Sequence, residues 1–189
     1  MSSLAATIEP QATYADLLAI PEPLVAEILC GELHTHPRPT PSHAVTSSSI
    51  GDELVSPFHK GRGGPGGGWI LDEPEMHLGE YVLVPDLAGW CRERLPKILE
   101  TAYFELALDW VCEVLSPSMA RTGRVLKLPI YVEFGVAHCW LVDQKIKLLE
   151  AFALQDGQWT LLGSYGGNDE IRVAPFDAIT FPLSTLWAE

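Results

Sequence analysis

Along most of the chain apolar residues alternate with polar ones in short runs bounded by glycine, proline and aspartate, a period-two pattern that predicts more strands than helices. Leu24 to Leu29 and Glu32 to Thr35 flank Cys30-Gly31, which reads as a tight hairpin turn. Residues 69–72, 81–86 and 107–115 read as successive strands, and 137–143 as another. The runs 147–154 and 158–165, joined by Asp156-Gly157, form the clearest hairpin. Helical spacing is rarer. Thr13 caps a short helix through Leu18, stopped ahead of Pro21 because a residue before proline is pushed out of the α region. Ser42 is the expected cap of a longer helix reaching about His59, with Ile50, Leu54 and Phe58 on one stripe. Residues 118–134 read as a helix kinked at Pro129, which has no backbone N–H to donate. The expected class is α+β: a central mixed sheet flanked by helices, with an N-terminal helix and hairpin extension and a C-terminal β-hairpin.

With 189 residues, 47% of them hydrophobic, the chain is long enough for one domain, expected over residues 13–189 behind a loose tail of residues 1–12. A net charge of −13 argues against a surface built for broad contact with nucleic acid, whose phosphates are bound by clustered Lys and Arg. Cys30, Cys91, Cys112 and Cys139 form no C-x-x-C pair and read as reduced thiols of a cytoplasmic protein. Residues 1–10 carry neither a basic residue nor an apolar core, and no apolar run is long enough to span a bilayer, so secretion and membrane insertion are not expected. The glycine-rich stretch 61–68 lacks the Gly-Lys-Ser/Thr ending of a phosphate loop and precedes a strand; a flap beside the substrate is the milder reading.

The chemistry concentrates in two carboxylates. Asp86 follows Pro85, and twenty-seven residues later Glu113 lies within Val111-Cys112-Glu113-Val114-Leu115-Ser116-Pro117-Ser118, flanked by residues that bury it. A buried carboxylate must be paired, protonated or metal-bound, and two sharing a site repel, so a divalent cation between them is the economical resolution. Lys127, with Arg124 three residues before and Tyr131 four after, reads as one helical face beside them, a set suited to phosphodiester chemistry. Arg92, Arg94 and Lys97 follow the first acid, and Arg121, Arg124 and Lys127 the second, so basic charge is expected around the site. His34 and His36 have the spacing of some metal pairs but no third local ligand, and an exposed strand edge is the preferred reading. His138 is expected to pack or hydrogen-bond within its strand.

Four blocks carry a resemblance: Val84-Pro85-Asp86-Leu87-Ala88-Gly89-Trp90, then Glu113-Val114-Leu115-Ser116-Pro117-Ser118, Lys127-Leu128-Pro129-Ile130-Tyr131, and Gly135 to Asp143. In this order they resemble the Uma-type family of restriction-endonuclease-like proteins, within the PD-(D/E)XK nuclease superfamily. The resemblance implies a restriction-endonuclease-like fold and a metal-dependent endonuclease acting on DNA. It makes Asp86 and Glu113 ligands of Mg²⁺, with Mn²⁺ as the second choice, and has the Val114 carbonyl complete the coordination. Glu27 becomes a metal or water contact and Lys127 the stabiliser of the nucleophile or transition state. Arg124 and Tyr131 are then candidates for substrate contact, and His43 falls on a family-like position without an assigned role. Two departures stand out: the superfamily's strand lysine, two residues after the second acid, is Leu115 here, and an acid common in relatives is replaced around Thr122-Gly123. These departures and the acidic surface keep two alternatives open: a catalytically inactive nuclease-fold protein serving in assembly or nucleic-acid binding, and a metal-dependent hydrolase of small phosphate compounds. A homodimer is expected, because the stripe Ile50, Leu54 and Phe58 and the C-terminal Phe181, Leu183, Leu186 and Trp187 look like apolar surface for a second copy.

Overall fold

The structure is a computed structural model that describes residues 11–116 and 121–188. In chain order it comprises α1 (Tyr14–Leu18), β1 (Leu24–Leu29), β2 (Glu32–Pro37) and α2 (Pro41–Leu54), followed by a π-helical turn (Val55–His59). Next come β3 (Gly68–Asp72), β4 (Met76–Leu78), β5 (Tyr81–Leu83), β6 (Leu87–Cys91) and β7 (Trp110–Leu115). A second π-helical turn (Thr122–Lys127) leads into α3 (Leu128–Glu133), then β8 (His138–Asp143), β9 (Leu148–Gln155) and β10 (Gln158–Gly166). The short pair β11 (Glu170–Ile171) and β12 (Phe181–Pro182) and a 3₁₀ turn (Leu183–Leu186) close the described chain.

Two sheets organise these elements. A six-stranded sheet runs β10-β9-β8-β7-β6-β3, antiparallel except for β7 against β8, and a four-stranded antiparallel sheet runs β2-β1-β5-β4. The parallel pair needs a crossover, which the segment carrying α3 supplies. Alternation along β7 divides the core. Trp110, Cys112 and Val114 pack with Ile50, Leu54 and Phe58 of the α2 layer, while Val111 and Leu115 pack with Ile130 and Tyr131 of α3. Glu113 shares the α3 face and is a carboxylate set into an apolar layer.

The predicted class holds, and several local expectations are revised. The segment 81–86 is not one strand: β5 belongs to the small sheet and β6 to the large one, and the chain crosses between them at Val84-Pro85-Asp86, where proline cannot extend a ladder. The long helix is capped by Thr40, whose hydroxyl accepts the His43 N–H, and Pro41 rather than Ser42 begins it. The kink expected at Pro129 is instead the π-helical turn before α3, and Pro129 is the second residue of α3, directly after that turn. Residues 1–10 and 117–120 lie outside the described part, but Gln11 and Ala12 are not loose: the Ala12 N–H donates to the Gly31 carbonyl at 2.8 Å. Phe181, Leu183, Leu186 and Trp187 are buried in the same cluster as Ile50, Leu54 and Phe58, so the two apolar sets read as surface for a second copy cover each other within the chain. Among the described residues no helix is long and apolar enough to cross a membrane.

Candidate active site

The site forms where the large sheet splits. β6 pairs with β7 only as far as Leu87 opposite Cys112, so Glu113, Val114 and Leu115 run on beyond their neighbour while still paired to β8 on the other side. The open backbone of Val114 must be satisfied by side chains. Its N–H donates to Asp86 Oδ2 at 2.7 Å, and its carbonyl contacts His43 Nε2 at 2.9 Å. The crossover preceding Asp86 has the same need. The Val84 N–H donates to Glu27 Oε1 at 2.8 Å and the Val84 carbonyl accepts from Lys127 Nζ at 3.2 Å. Backbone left unpaired by the fold thus recruits the polar groups that define the cleft.

Around it is a dense charge cluster. Lys127 Nζ lies 2.8 and 2.9 Å from the two Glu113 oxygens and 3.0 Å from Glu27 Oε1, and the Tyr131 hydroxyl donates to Glu113 Oε1 at 2.5 Å. Glu27, Glu113, Lys127 and Tyr131 are all buried. Burial raises the Glu113 carboxyl, and Asp86 and Glu27 push it further against the opposing pull of Lys127, leaving it at about 7. Burial would lower the Lys127 ammonium, but Glu113 and Glu27 hold it above the usual lysine range. Burial and Glu113 hold the Tyr131 hydroxyl protonated well beyond its ordinary value. His43 Nε2 also lies 3.3 Å from Asp86 Oδ1; burial opposes its charged form, yet Asp86 and the Val114 carbonyl raise its pKa on balance.

A cleft of about 400 Å³ opens over this cluster, with Asp86, Glu113, Val114, Lys127 and His43 among its walls. Asp86, Glu113, Lys127, Glu27 and the Val114 carbonyl are therefore brought together. Two other candidates are placed differently. Arg124 turns outward to pair with Glu150 on β9 at 2.5 Å, because the π-helical turn breaks the i, i+3 spacing that would have aligned it with Lys127. Tyr131 is at the site but fully buried, so it orients Glu113 and cannot reach a substrate.

Of the six basic residues expected around the site, only Lys127 lines the cleft among the described residues; Arg92 stacks on Trp69 and bonds the His59 and Gly68 carbonyls, and Arg94 pairs with Asp109. The glycine-rich stretch is no flap over the cleft. It folds against the first π-helical turn, the Gly66 N–H donating to the Pro57 carbonyl, and Gly64 packs so tightly there that a Cβ would meet Pro57 at 2.4 Å.

Three wall residues escaped the sequence reading. His36, expected at an exposed strand edge, is on the cleft wall with Nε2 3.8 Å from Glu27 Oε2. The signal was available, since in this hairpin register Val25 faces His36 and so places His36 diagonally beside Glu27. Arg38 and Glu73 also line the cleft, brought there by pairing across the two sheets that local sequence does not encode.

The Leu115 departure has a structural counterpart. Leu115 is buried against Gly123, where a Cβ would lie 3.1 Å from Leu115 Cδ2. The glycine admits the leucine, and the ammonium enters from the π-helical turn instead.

A crystal structure at 1.96 Å resolution described as "a putative nuclease belonging to DUF820 from Anabaena variabilis ATCC 29413" has the same fold, with a TM-score of 0.71 and 20% identity over 93% of this chain and 97% of that one. The fold is thus that of the restriction-endonuclease-like proteins. No curated protein matches the chain. The family model described as "Uma2: Putative restriction endonuclease" matches residues 12–184, and the chain belongs to that family.

Proposed function

We propose that the protein is a divalent-metal-dependent endonuclease that hydrolyses phosphodiester bonds in DNA. The observation that carries this reading is the carboxylate surplus around one buried ammonium: Glu27 and Glu113 both pair with Lys127, and Asp86 lines the cleft beside Glu113. Glu27 Oε2 is moreover buried without a hydrogen-bond partner among the described residues. Surplus buried negative charge with an unpartnered oxygen is the environment a hard cation relieves. Among the described residues no three His, Cys, Asp or Glu side chains form a ready metal cage, and the donor set is instead two carboxylates and a carbonyl. That set suits Mg²⁺ or Mn²⁺, which complete their shells with water, better than Zn²⁺.

Asp86, Glu113 and the Val114 carbonyl would hold the cation, with Glu27 reached directly or through water. The ion, when bound, supplies Lewis-acid stabilisation of charge on the phosphoryl oxygens and acidifies a bound water. The protein's own groups do the rest. Lys127 keeps both Glu113 oxygens in place and presents positive charge to the cleft. Tyr131 fixes the Glu113 rotamer by donating a hydrogen bond from inside the core. His43 holds the Asp86 carboxylate and the Val114 carbonyl together through one nitrogen. Water attacks phosphorus and releases a proton to solvent, the bond to the leaving oxygen breaks, and that oxygen takes a proton from solvent. Cutting both strands of a duplex calls for two such clefts, and hence a homodimer. The four free cysteines suit a reducing compartment such as the cytoplasm.

The test is cleavage of duplex DNA, single-stranded DNA, RNA and nucleotides by the purified protein with Mg²⁺, Mn²⁺ or EDTA, alongside Asp86→Asn. Metal-dependent cutting of DNA lost in Asp86→Asn supports the reading. Hydrolysis of nucleotides alone assigns the small-phosphate alternative, and inactivity on every substrate assigns the non-catalytic one.

A further inference from the structure

A second groove, of about 340 Å³, opens beside the cleft. Thr40 lines both cavities, so the groove continues from one end of the cleft. Its other walls include Ser42, Gln144, Lys145, Lys147 and Trp187, and among the described residues no acidic one lines it. That is notable in a chain with 25 acidic and 12 basic residues.

Topology explains the placement. β7 and β8 are parallel, with Leu115 opposite Asp143, so the turn that follows β8 leaves the sheet at the same end as Glu113 and Val114. Asp143 Oδ1 shapes that turn by accepting the N–H groups of Lys145 and Ile146 at 3.0 and 3.3 Å, and Lys147 adopts a left-handed φ of 53°. Both lysine side chains are exposed, and among the described residues neither has an ion-pair partner. Opposite them is the N-terminus of the fourteen-residue α2, with Ser42 in its first turn and the favourable end of its dipole toward the groove. Trp187 forms part of the wall; it is 8% exposed, and its indole N–H is buried without a hydrogen-bond partner among the described residues.

We propose that this groove is a phosphodiester-binding track that carries the nucleic-acid backbone out of the cleft, Lys145 and Lys147 neutralising successive phosphates and the first turn of α2 receiving another. The proposal rests on the nuclease reading and adds to it the part of the surface that meets the substrate. It also accounts for how a chain of net charge −13 binds a polyanion: attraction is confined to one strip beside the cleft. A mononucleotide held in the cleft has no phosphate to place there.

The test is anisotropy of a labelled duplex and a labelled single strand with the full-length chain, in EDTA and in Ca²⁺, over a range of salt. Lys145→Ala/Lys147→Ala is compared with Lys60→Ala/Arg62→Ala, at the start of the glycine-rich stretch, where neither residue lines either cavity. The expected result is affinity about tenfold or more weaker in the first variant only, with the slope of log affinity against log salt shallower by about two. Hydrolysis of a small aryl phosphodiester, too short to reach the groove, stays at the wild-type rate, showing that fold and cleft are intact. Wild-type affinity in Lys145→Ala/Lys147→Ala, or an equal loss in the control pair, overturns the track while leaving the nuclease reading in place. Failure of the wild-type protein to bind any nucleic acid overturns both.

Discussion

Lys127 holds both carboxylate oxygens of Glu113, at 2.8 and 2.9 Å, from a π-helical turn and not from the strand that carries the acid. An α-helical turn would keep Arg124 and Lys127 on one side; the wider turn sends Arg124 to Glu150 and only Lys127 inward. The ammonium also reaches Glu27 at 3.0 Å, so it bridges the large sheet to the small one.

Removing that charge is therefore expected to damage both stability and turnover. Lys127→Met keeps the apolar stem but leaves Glu113 and Glu27 buried and facing one another, which should cost about 3 to 5 kcal/mol near pH 8. The loss should shrink at acid pH, where Glu113 takes up a proton. Turnover should fall on the order of a hundredfold. Denaturant titrations at both pH values check the first point, and a variant equally unstable at both would show that packing rather than charge is responsible.

The metal-free protein should be more stable in mild acid than in mild base. Burial, with Asp86 and Glu27, lifts the folded-state Glu113 carboxyl to about 7, above its ordinary 4.5, so folding favours its protonated form. That stability is fully present below the unfolded value and is lost as pH rises through the folded one, a window from about 4.5 to about 7. His43, also raised, adds in the same direction. A divalent cation competes with these protons, so Mn²⁺ should raise the melting temperature more at pH 8 than at pH 6, and its binding should release protons in between. Calorimetry in buffers of different ionisation enthalpy measures that release; a proton count of zero at pH 6 would contradict the assignment of Glu113 as a ligand.

His43 is expected to act through its neighbours. Its Nδ1 is buried without a hydrogen-bond partner among the described residues, so the proton of the neutral ring belongs on Nε2, which donates toward the Val114 carbonyl and Asp86. His43→Ala should weaken Mn²⁺ binding by about 10- to 100-fold, as when a group that orients metal ligands is lost. His43→Gln, whose amide nitrogen falls near the same place, should restore much of it. Tighter binding in His43→Ala would mean that the imidazole instead blocks the cation.

What the sequence disclosed and what it hid divide along one physical line. Hairpins were legible because their turn chemistry is local: Cys30-Gly31 and Asp156-Gly157 have positive φ and join the strands expected. Asp86, Glu113 and Lys127 lie close together, as expected from carboxylates in apolar runs, which demand partners, and from the resemblance, which places a lysine at Lys127. The split between β5 and β6 was not legible, since Pro85-Asp86 reads equally well as the end of a strand, and only pairing with β1 on one side and β7 on the other shows that the chain changes sheets there. Tyr131 lies beside Glu113 but buried behind it and not facing the cleft, because helical spacing gives a direction and not a depth. The groove by Lys145 went unseen for a related reason: its walls come from segments about a hundred residues apart in sequence.

The exchange of a strand lysine for a helical one can be tested by moving it back. Leu115 lies on the Glu113 face of β7, where the superfamily usually carries its lysine, and its side chain packs over Gly123. In Lys127→Met the carboxylates lack a cation, and adding Leu115→Lys places an ammonium two residues along the strand from Glu113. The flexible four-carbon stem can follow the path of the leucine past Gly123, where no Cβ obstructs it. The double variant is expected to recover at least about tenfold in turnover over Lys127→Met, and part of the stability lost near pH 8. The control is Leu115→Lys alone, which adds a second cation beside an intact pair and should lose stability. Recovery of stability without turnover would mean that the Lys127 position serves the fold and that catalysis needs a cation elsewhere. A double variant no better than Lys127→Met in either measure would show that the cleft accepts the ammonium from the helix only.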